Sequence, residues 1–428
     1  MARRIGFSLL TVLAVAACIE GLGGLALWQL AGEFTTPRAI ESQRQALFAP
    51  EADGGDWFRH RLRYEDALHP YLGYVADPGQ HPTATLPGFD PTAAELGFPR
   101  NRESLLTPRR PDEVVVLLLG GSVAHLLADA GADALREALE GAGRFAEKRI
   151  RVVSAAMPGY KQPQQLMALA WLITLGAPID VVVNLDGFNE LALPATEHAR
   201  AGVFPFYPRG WKVRVDRLGS ASQQLIAQQA TTQRERQSLA DTFSAEPLAS
   251  SFAASAMWLA LDRRATTALA ALDAALLARQ AEARSSYQAR GPAAPYGEGD
   301  ALLTTLADAW ERTSKAIAGL ASSQGFEYFH FLQPNQYAAG GKTLTDKERT
   351  IAWRADHPYR APIEAGYPLL EARGESLRAA GVRFESLVPV FANVSETLYI
   401  DDCCHFNKEG LVLVATAIAE NIRMAGDR

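Results

Sequence analysis

The feature that most constrains the fold is an alternation of short apolar runs with helical patterns. The run "EVVVLLLG" at residues 113–120 ends in glycine, and the apolar residues that follow it recur every three or four positions. The runs "RIRVVSAAMPG" at 149–159 and "IDVVVNLDG" at 179–187 repeat this arrangement. Strands of nearly unbroken Val, Ile and Leu, separated by helices, are typical of parallel sheets that are covered on both faces.

The same alternation returns towards the C-terminus, with strand patterns at residues 326–334 and 382–391 and a last helix near 408–424. The sequence therefore predicts an α/β domain of three layers, α/β/α, with a five-stranded parallel sheet over residues 113–428. A stretch rich in Ala, Gln, Leu and Arg predicts a helical insertion at about 215–295. Residues 32–112 are polar and carry prolines, and we interpret them as a stalk and wrapping segment.

The N-terminus predicts a membrane anchor. After two arginines comes an apolar stretch, residues 5–30, whose only charge is Glu20, and about 20 apolar residues are enough to cross a bilayer as a helix. We predict that residues 1–31 form a single-pass transmembrane helix (an uncleaved signal anchor) in contact with membrane lipid. Removal as a signal peptide, or lipid attachment at Cys18, is the alternative.

The charges around this helix predict its orientation and its surroundings. The arginines that precede it favour a cytoplasmic N-terminus and a domain on the far side, which is the periplasm if the helix lies in a bacterial inner membrane. Because Glu20 is costly in lipid, we expect it to face a partner helix or an interface, and it hints at a membrane protein partner.

Composition and charge exclude some classes of protein. The chain is 48% hydrophobic and 21% charged, which is enough apolar material for a large buried core. Its formal net charge of −6 gives no basic surface of the kind that nucleic-acid-binding proteins carry. We therefore expect no nucleic acid partner.

Chemically useful residues follow the predicted strands. Ligands bind outside the carboxyl ends of strands in open parallel sheets. Ser122 follows the first strand, Gly159 the second and Asn189 the third, while Asp402 and His405 follow the last. Acyl transfer requires the groups that these residues supply, which are a hydroxyl, a glycine amide, a carboxamide and an imidazole with a carboxylate. Taken singly, each residue could equally be a helix cap or part of a turn.

In this order, the blocks "GGS", "PG", "GFN" and "DCCH" resemble those of the SGNH/GDSL hydrolases. The resemblance implies a flavodoxin-like SGNH fold and a catalytic Ser122, with His405 as base and Asp402 as the residue that orients it. It also implies an oxyanion hole formed by the Ser122 amide, the Gly159 amide and the Asn189 side chain. The first block departs from the family pattern, because Gly121 stands where aspartate is usual.

The resemblance implies a serine esterase, that is, a carboxylic ester hydrolase. We expect it to hydrolyse an O-acyl ester of an acylated small molecule or glycan, such as a cell-surface polysaccharide or glycolipid. Two alternatives remain open. One is a catalytically inactive SGNH-fold scaffold or accessory subunit of a membrane protein complex, and the other is an acyltransferase that uses the same serine. No cofactor is expected.

Two of the three cysteines, Cys403 and Cys404, are adjacent and lie between Asp402 and His405. Outside the cytoplasm such a pair could form a disulfide that stiffens the loop. The alternative is two small buried residues that fill the space beneath the loop. A metal site is not predicted, because adjacent cysteines with one histidine lack the usual ligand spacing.

Overall fold

The computed structural model describes residues 2–47, 66–77, 94–140, 143–216, 220–282, 287–293 and 296–425. The chain divides into two compact units, one of residues 1–56 with 213–289 and the other of residues 57–212 with 290–428. Much of the predicted stalk, residues 48–65 and 78–93, lies outside the described residues. The predicted domain boundaries remain predictions.

The described strands are β1 (Asp66–His69), β2 (Gly73–Ala76), β3 (Glu113–Gly120), β4 (Arg149–Ser154), β5 (Val181–Asp186), β6 (Glu327–Leu332) and β7 (Arg383–Ser386). The described α-helices are α1 (Ala2–Ala31), α2 (Pro37–Ala46), α3 (Ser122–Leu126), α4 (Ala132–Leu139), α5 (Gln164–Thr174), α6 (Phe188–Leu193), α7 (Ala199–Ala201), α8 (Trp211–Asp216), α9 (Ser220–Ser244), α10 (Phe252–Glu282), α11 (Tyr287–Arg290), α12 (Gly299–Gln324), α13 (Asp346–Ile351), α14 (Arg360–Ala379) and α15 (Lys408–Met424).

The larger unit is built on a five-stranded sheet with the order β4-β3-β5-β6-β7. Each neighbouring pair in this sheet is parallel, which confirms the predicted five-stranded parallel sheet. The interior strands β3 and β5 are buried almost throughout, as their Val and Leu runs predict. Around the sheet, α4 packs with α15, and α12 packs with α14.

Strand register brings the ends of three strands to one level. Gly120 at the end of β3 pairs with Leu185, and Asp186 at the end of β5 pairs with Leu332. Because parallel strands all end at the same edge, the segments that follow β3, β5 and β6 meet there. The candidate site lies at this edge. The antiparallel hairpin of β1 and β2 is an addition that the sequence did not predict.

The smaller unit contains α1, the one described helix long and apolar enough to span a membrane, at Leu10–Ala31. One face of α1 packs against α10, and Gly23 is so close to Ala253 that a Cβ added to Gly23 would lie 2.4 Å from the Ala253 backbone. Another face leaves Leu22 and Leu25 exposed. The helix thus has a small-residue face towards α10 and an apolar face without cover among the described residues.

Glu20 finds its partner on this packed face. Its carboxylate accepts hydrogen bonds from the Ser251 hydroxyl at 2.6 Å and from the Phe252 amide at 2.7 Å. Phe252 begins α10, so Glu20 satisfies an amide at the positive end of that helix. A contact within the chain therefore accounts for the carboxylate in the apolar helix.

Candidate active site

Ser122 is held at the junction of β3 and α3. Gly120 has φ +145, and a Cβ there would lie 2.2 Å from the Leu185 carbonyl oxygen, so only glycine allows β3 to end this close to β5. Ser122 then begins α3, and its side chain is buried. Its hydroxyl is positioned by the sheet and the first turn of the helix together.

The imidazole of His405 lies against this hydroxyl. His405 Nε2 is 2.6 Å from Ser122 Oγ, although the two residues are 283 positions apart in the chain. On the other side of the ring, Nδ1 is 2.6 Å from Asp401 Oδ2. With the carboxylate accepting the Nδ1 proton, Nε2 is left to accept the hydroxyl proton of Ser122.

Asp401 organises the loop that carries the histidine. Its Oδ1 accepts the amides of Cys403, Cys404 and His405 at 3.0, 3.1 and 3.2 Å. Burial acts to raise the pKa of Asp401, but the His405 ring and the donated hydrogen bonds outweigh it and lower the pKa below its ordinary value. The carboxylate is therefore ionised at neutral pH and can stabilise a protonated imidazole.

The prediction that Asp402 orients His405 is wrong, because Asp401 makes the hydrogen bond to the His405 ring. Asp402 Oδ2 lies 3.4 Å from Arg354 Nη1, and Oδ1 lies 3.8 Å from His357 Nε2. The loop folds as a tight turn around the Asp401 carboxylate, so the residue four positions before His405 faces the ring and the next residue points away. Asp401 is the residue that the sequence argument missed, and its only signal was its place beside Asp402.

The predicted oxyanion groups come together at the same edge. Asn189 follows Gly187, which has φ +117, and its Nδ2 donates to the Tyr160 carbonyl at 2.8 Å. A Cβ added to Gly121 would lie 2.2 Å from that nitrogen. Gly159, with φ +81, precedes Tyr160 in the turn after β4. The Asn189 side chain and the Tyr160 carbonyl thus lie against Gly121, the residue before Ser122. The roles of Ser122, Gly159 and Asn189 in oxyanion binding remain predictions.

Glu190 fixes the turn that presents Asn189. Its Oε2 accepts the Gly187 amide at 2.8 Å, and its Oε1 accepts the Gln162 amide at 3.0 Å and the Gln165 side chain at 3.1 Å. Burial, aided by the charge of Asp186, raises the pKa of Glu190 to about 8. Glu190 thus joins the two turns, after β4 and after β5, that flank Ser122.

A second serine, histidine and aspartate series lies deeper in the same unit. His330 Nε2 donates to Asp186 Oδ1 at 2.9 Å, and Nδ1 accepts the Ser314 hydroxyl at 2.8 Å. Trp310 Nε1 also donates to Asp186 Oδ1. Ser314 and His330 are 0% exposed, so no substrate can reach them. This series is a buried polar network and supplies a matched control for Ser122.

The vicinal cysteines are both free thiols, with the two Sγ atoms 3.1 Å apart, so the disulfide considered from the sequence is not formed. Cys404 packs in the core beneath the loop, and Cys403 is half-buried. Both Sγ atoms and a ring nitrogen of His405 lie within 4.8 Å of one another, and Nε2 is 3.7 Å from Cys404 Sγ, a donor set that suits a thiophilic ion. Because Nε2 already accepts the Ser122 hydroxyl, such an ion would have to displace it.

Compared with models of protein families and with curated proteins, the chain has no match. The candidate site is therefore defined by its own geometry. Its central feature is a Ser122 hydroxyl within hydrogen-bond distance of an imidazole that is itself held by Asp401.

Proposed function

We propose that this chain is a serine esterase of the SGNH type, which hydrolyses O-acyl esters through Ser122. The observation that carries the proposal is the continuous series from Ser122 Oγ to His405 Nε2 and from His405 Nδ1 to Asp401, each contact 2.6 Å long. A nucleophile bonded to a base, and a base bonded to a carboxylate, is the arrangement that activates serine in hydrolases.

In the first half of the reaction, Ser122 Oγ forms a bond to the ester carbonyl carbon, and His405 Nε2 takes the hydroxyl proton. The carbonyl oxygen becomes an oxyanion, and Asp401 stabilises the imidazolium. When the carbon–oxygen bond to the alcohol breaks, His405 returns the proton to the leaving alcohol. Water then attacks the carbonyl carbon of the acyl-serine while His405 accepts a proton from the water. The bond between this carbon and Ser122 Oγ breaks, His405 returns the proton to Oγ, and the carboxylic acid is released.

The oxyanion would be bound by the amides of Ser122 and Gly159 and by the Asn189 side chain. The nitrogen of this carboxamide carries two hydrogens, of which one is donated to Tyr160, so its orientation is set before substrate binds. A single donor of this kind can contribute about 3–4 kcal/mol to the stability of the transition state. Glu190, by fixing the Gly187 turn, would keep Asn189 in place.

The location and the substrate class belong to the same proposal. The apolar helix at Leu10–Ala31 would anchor the chain in a bacterial inner membrane, with Arg3 and Arg4 in the cytoplasm and the catalytic unit in the periplasm. Esters within reach there are O-acyl groups of surface polysaccharides and glycolipids. An acyltransferase would share the acyl-serine and differ only in passing it to a sugar hydroxyl instead of water.

The test uses the full-length chain in detergent micelles, a chromogenic acetyl ester and a fluorophosphonate probe. We expect turnover, and labelling that mass spectrometry maps to Ser122. Ser122→Ala should abolish both, whereas Ser314→Ala should keep both, because the Ser314 hydroxyl is inaccessible. Equal turnover in Ser122→Ala, or a label on another residue, would refute the assignment.

A further inference from the structure

Three consecutive side chains after β6 hold the loop that carries His405. Asn335 Nδ2 donates to the Cys403 carbonyl at 3.2 Å, and Gln336 Nε2 donates to the Asp401 carbonyl at 3.0 Å. The Tyr337 hydroxyl donates to the Asp402 carbonyl at 2.9 Å. Each of the three side chains thus donates to a different backbone carbonyl of the same turn.

The carbonyl groups of the loop need these donors, because amide groups of the loop donate to the Asp401 carboxylate. The Asp401 carboxylate gathers the amides of residues 403–405 on its inner side. The carbonyls of residues 401–403 therefore face outward, where burial without a partner would be costly. Residues 335–337 supply those partners, so the turn is held from both sides.

The donors are themselves fixed. Asn335 Oδ1 accepts the Tyr337 amide at 2.9 Å, which determines which way the Asn335 carboxamide faces. Gln336 Nε2 also donates to the Ala352 carbonyl at 3.0 Å. Burial raises the pKa of Tyr337 to about 12, so its phenol remains a donor throughout the neutral range. All three side chains are buried.

The segment also connects the loop to the nucleophile. It follows β6, which pairs with β5, and β5 pairs with β3, which ends two residues before Ser122. A shift of the loop relative to the sheet would change the 2.6 Å contact between Ser122 and His405. The sheet therefore fixes the position of His405 relative to Ser122.

We propose that Asn335, Gln336 and Tyr337 are positioning residues that hold His405 and Asp401 at their working distance from Ser122. Their effect on turnover rests on the proposed esterase function, whereas their effect on the His405–Asp401 contact does not. Nothing in this role requires them to touch substrate.

The test is Tyr337→Phe in the full-length chain, with Tyr367→Phe as the matched control. Both are buried tyrosines whose hydroxyls donate to a backbone carbonyl, but Tyr367 donates to Gln333, outside the loop. The proton on His405 Nδ1 should give a far-downfield NMR resonance, assigned by its loss in Asp401→Asn. We expect Tyr337→Phe to shift or broaden this resonance and Tyr367→Phe to leave it unchanged.

In kinetics with the acetyl ester, we expect Tyr337→Phe to lower kcat about tenfold with KM unchanged, since one positioning hydrogen bond is lost. Gln336→Met, which removes a second donor to the loop, should perturb the resonance in the same way and serves if Tyr337→Phe does not fold. An unperturbed resonance in folded Tyr337→Phe, or in the substitute, would overturn the proposal. If the wild type hydrolyses no ester, the resonance still decides this proposal, while the function proposed above fails separately.

Discussion

Nδ1 of His405 lies 2.6 Å from Oδ2 of Asp401, four residues earlier in the chain. The next carboxylate, Asp402, instead faces Arg354 and His357. Two adjacent and chemically identical side chains thus have different surroundings, because the turn between them and His405 closes around Asp401. This difference yields the most direct test of the site.

Asp401→Asn should lower kcat by about 10⁴, because an amide no longer holds the imidazole in the tautomer that accepts the serine proton. Asp402→Asn should change kcat by no more than a few-fold, since its contacts to Arg354 and His357 lie on the partly exposed outer side of the loop. Steady-state kinetics on both variants measure the ratio. The reverse order of effects would show that the loop adopts another arrangement in the working enzyme.

Gly121→Ala should lower kcat by about 10²–10³ while the chain still folds, as expected when an oxyanion donor is displaced. The new methyl group would lie 2.2 Å from Asn189 Nδ2 and force that carboxamide away from Ser122. Gly319→Ala is the control, because Gly319 is exposed within α12 with no atom within 4 Å of an added Cβ. It should leave kcat unchanged and stabilise the fold by about 0.5–1 kcal/mol.

The free energy of unfolding should depend on pH through Glu190. Its pKa is raised from 4.5 to about 8, so between these values the folded chain keeps a proton that the unfolded chain releases. The stabilisation that Glu190 adds to the free energy of unfolding is therefore fully present below pH 4.5. It is lost as the pH rises towards 8, by about 1.4 kcal/mol per pH unit.

Urea unfolding of the wild type and of Glu190→Gln at pH 5, 6, 7 and 8 measures this contribution. The difference between the two proteins cancels the titrating groups that do not interact with Glu190, and it should change with pH in that direction. A difference that stays constant across the series would mean that Glu190 is ionised in the folded protein.

Glu20→Ala should loosen the start of α10, because the Phe252 amide and the Ser251 hydroxyl lose their acceptor. Loss of such a cap costs about 1 kcal/mol. Hydrogen exchange of the full-length chain in micelles should therefore speed up at the first turn of α10. The control is Glu33→Ala, which removes an exposed carboxylate just beyond α1. Equal exchange in the two variants would contradict the cap.

Cys403 and Cys404 should differ in their rate of alkylation. Burial raises the pKa of Cys404 well above its ordinary value, whereas Cys403 is only half-buried. Iodoacetamide at neutral pH should therefore modify Cys403 before Cys404, as peptide mass mapping would show. Modification of Cys404 first would contradict its burial, and modification of neither residue until a reductant is added would contradict the free thiols.

The sheet could be predicted because its signal is local. Val115, Val182 and their neighbours form runs whose burial follows from sequence spacing, and the glycines after them mark where strands end. The same reasoning predicted that Ser122 and His405 meet, and their 2.6 Å contact confirms it, since strand ends in a parallel sheet converge on one edge. The roles predicted for Gly159 and Asn189 stay predictions.

Asp401 and the 335–337 segment were beyond that reasoning. Asn335 donates to the Cys403 carbonyl, which lies 68 residues further along the chain. The partner of Glu20 was hidden for the same reason, because Ser251 lies 231 residues further along the chain. Contacts of this kind leave no periodic pattern in the sequence.

The amino-acid order alone determines which stretches become strands and helices and which side chains follow them, because burial of apolar residues obeys local periodicity. Only the tertiary structure decides which of two neighbouring carboxylates turns towards an imidazole. That choice depends on where a short turn finds partners for its amides and carbonyls, and these come from distant parts of the chain.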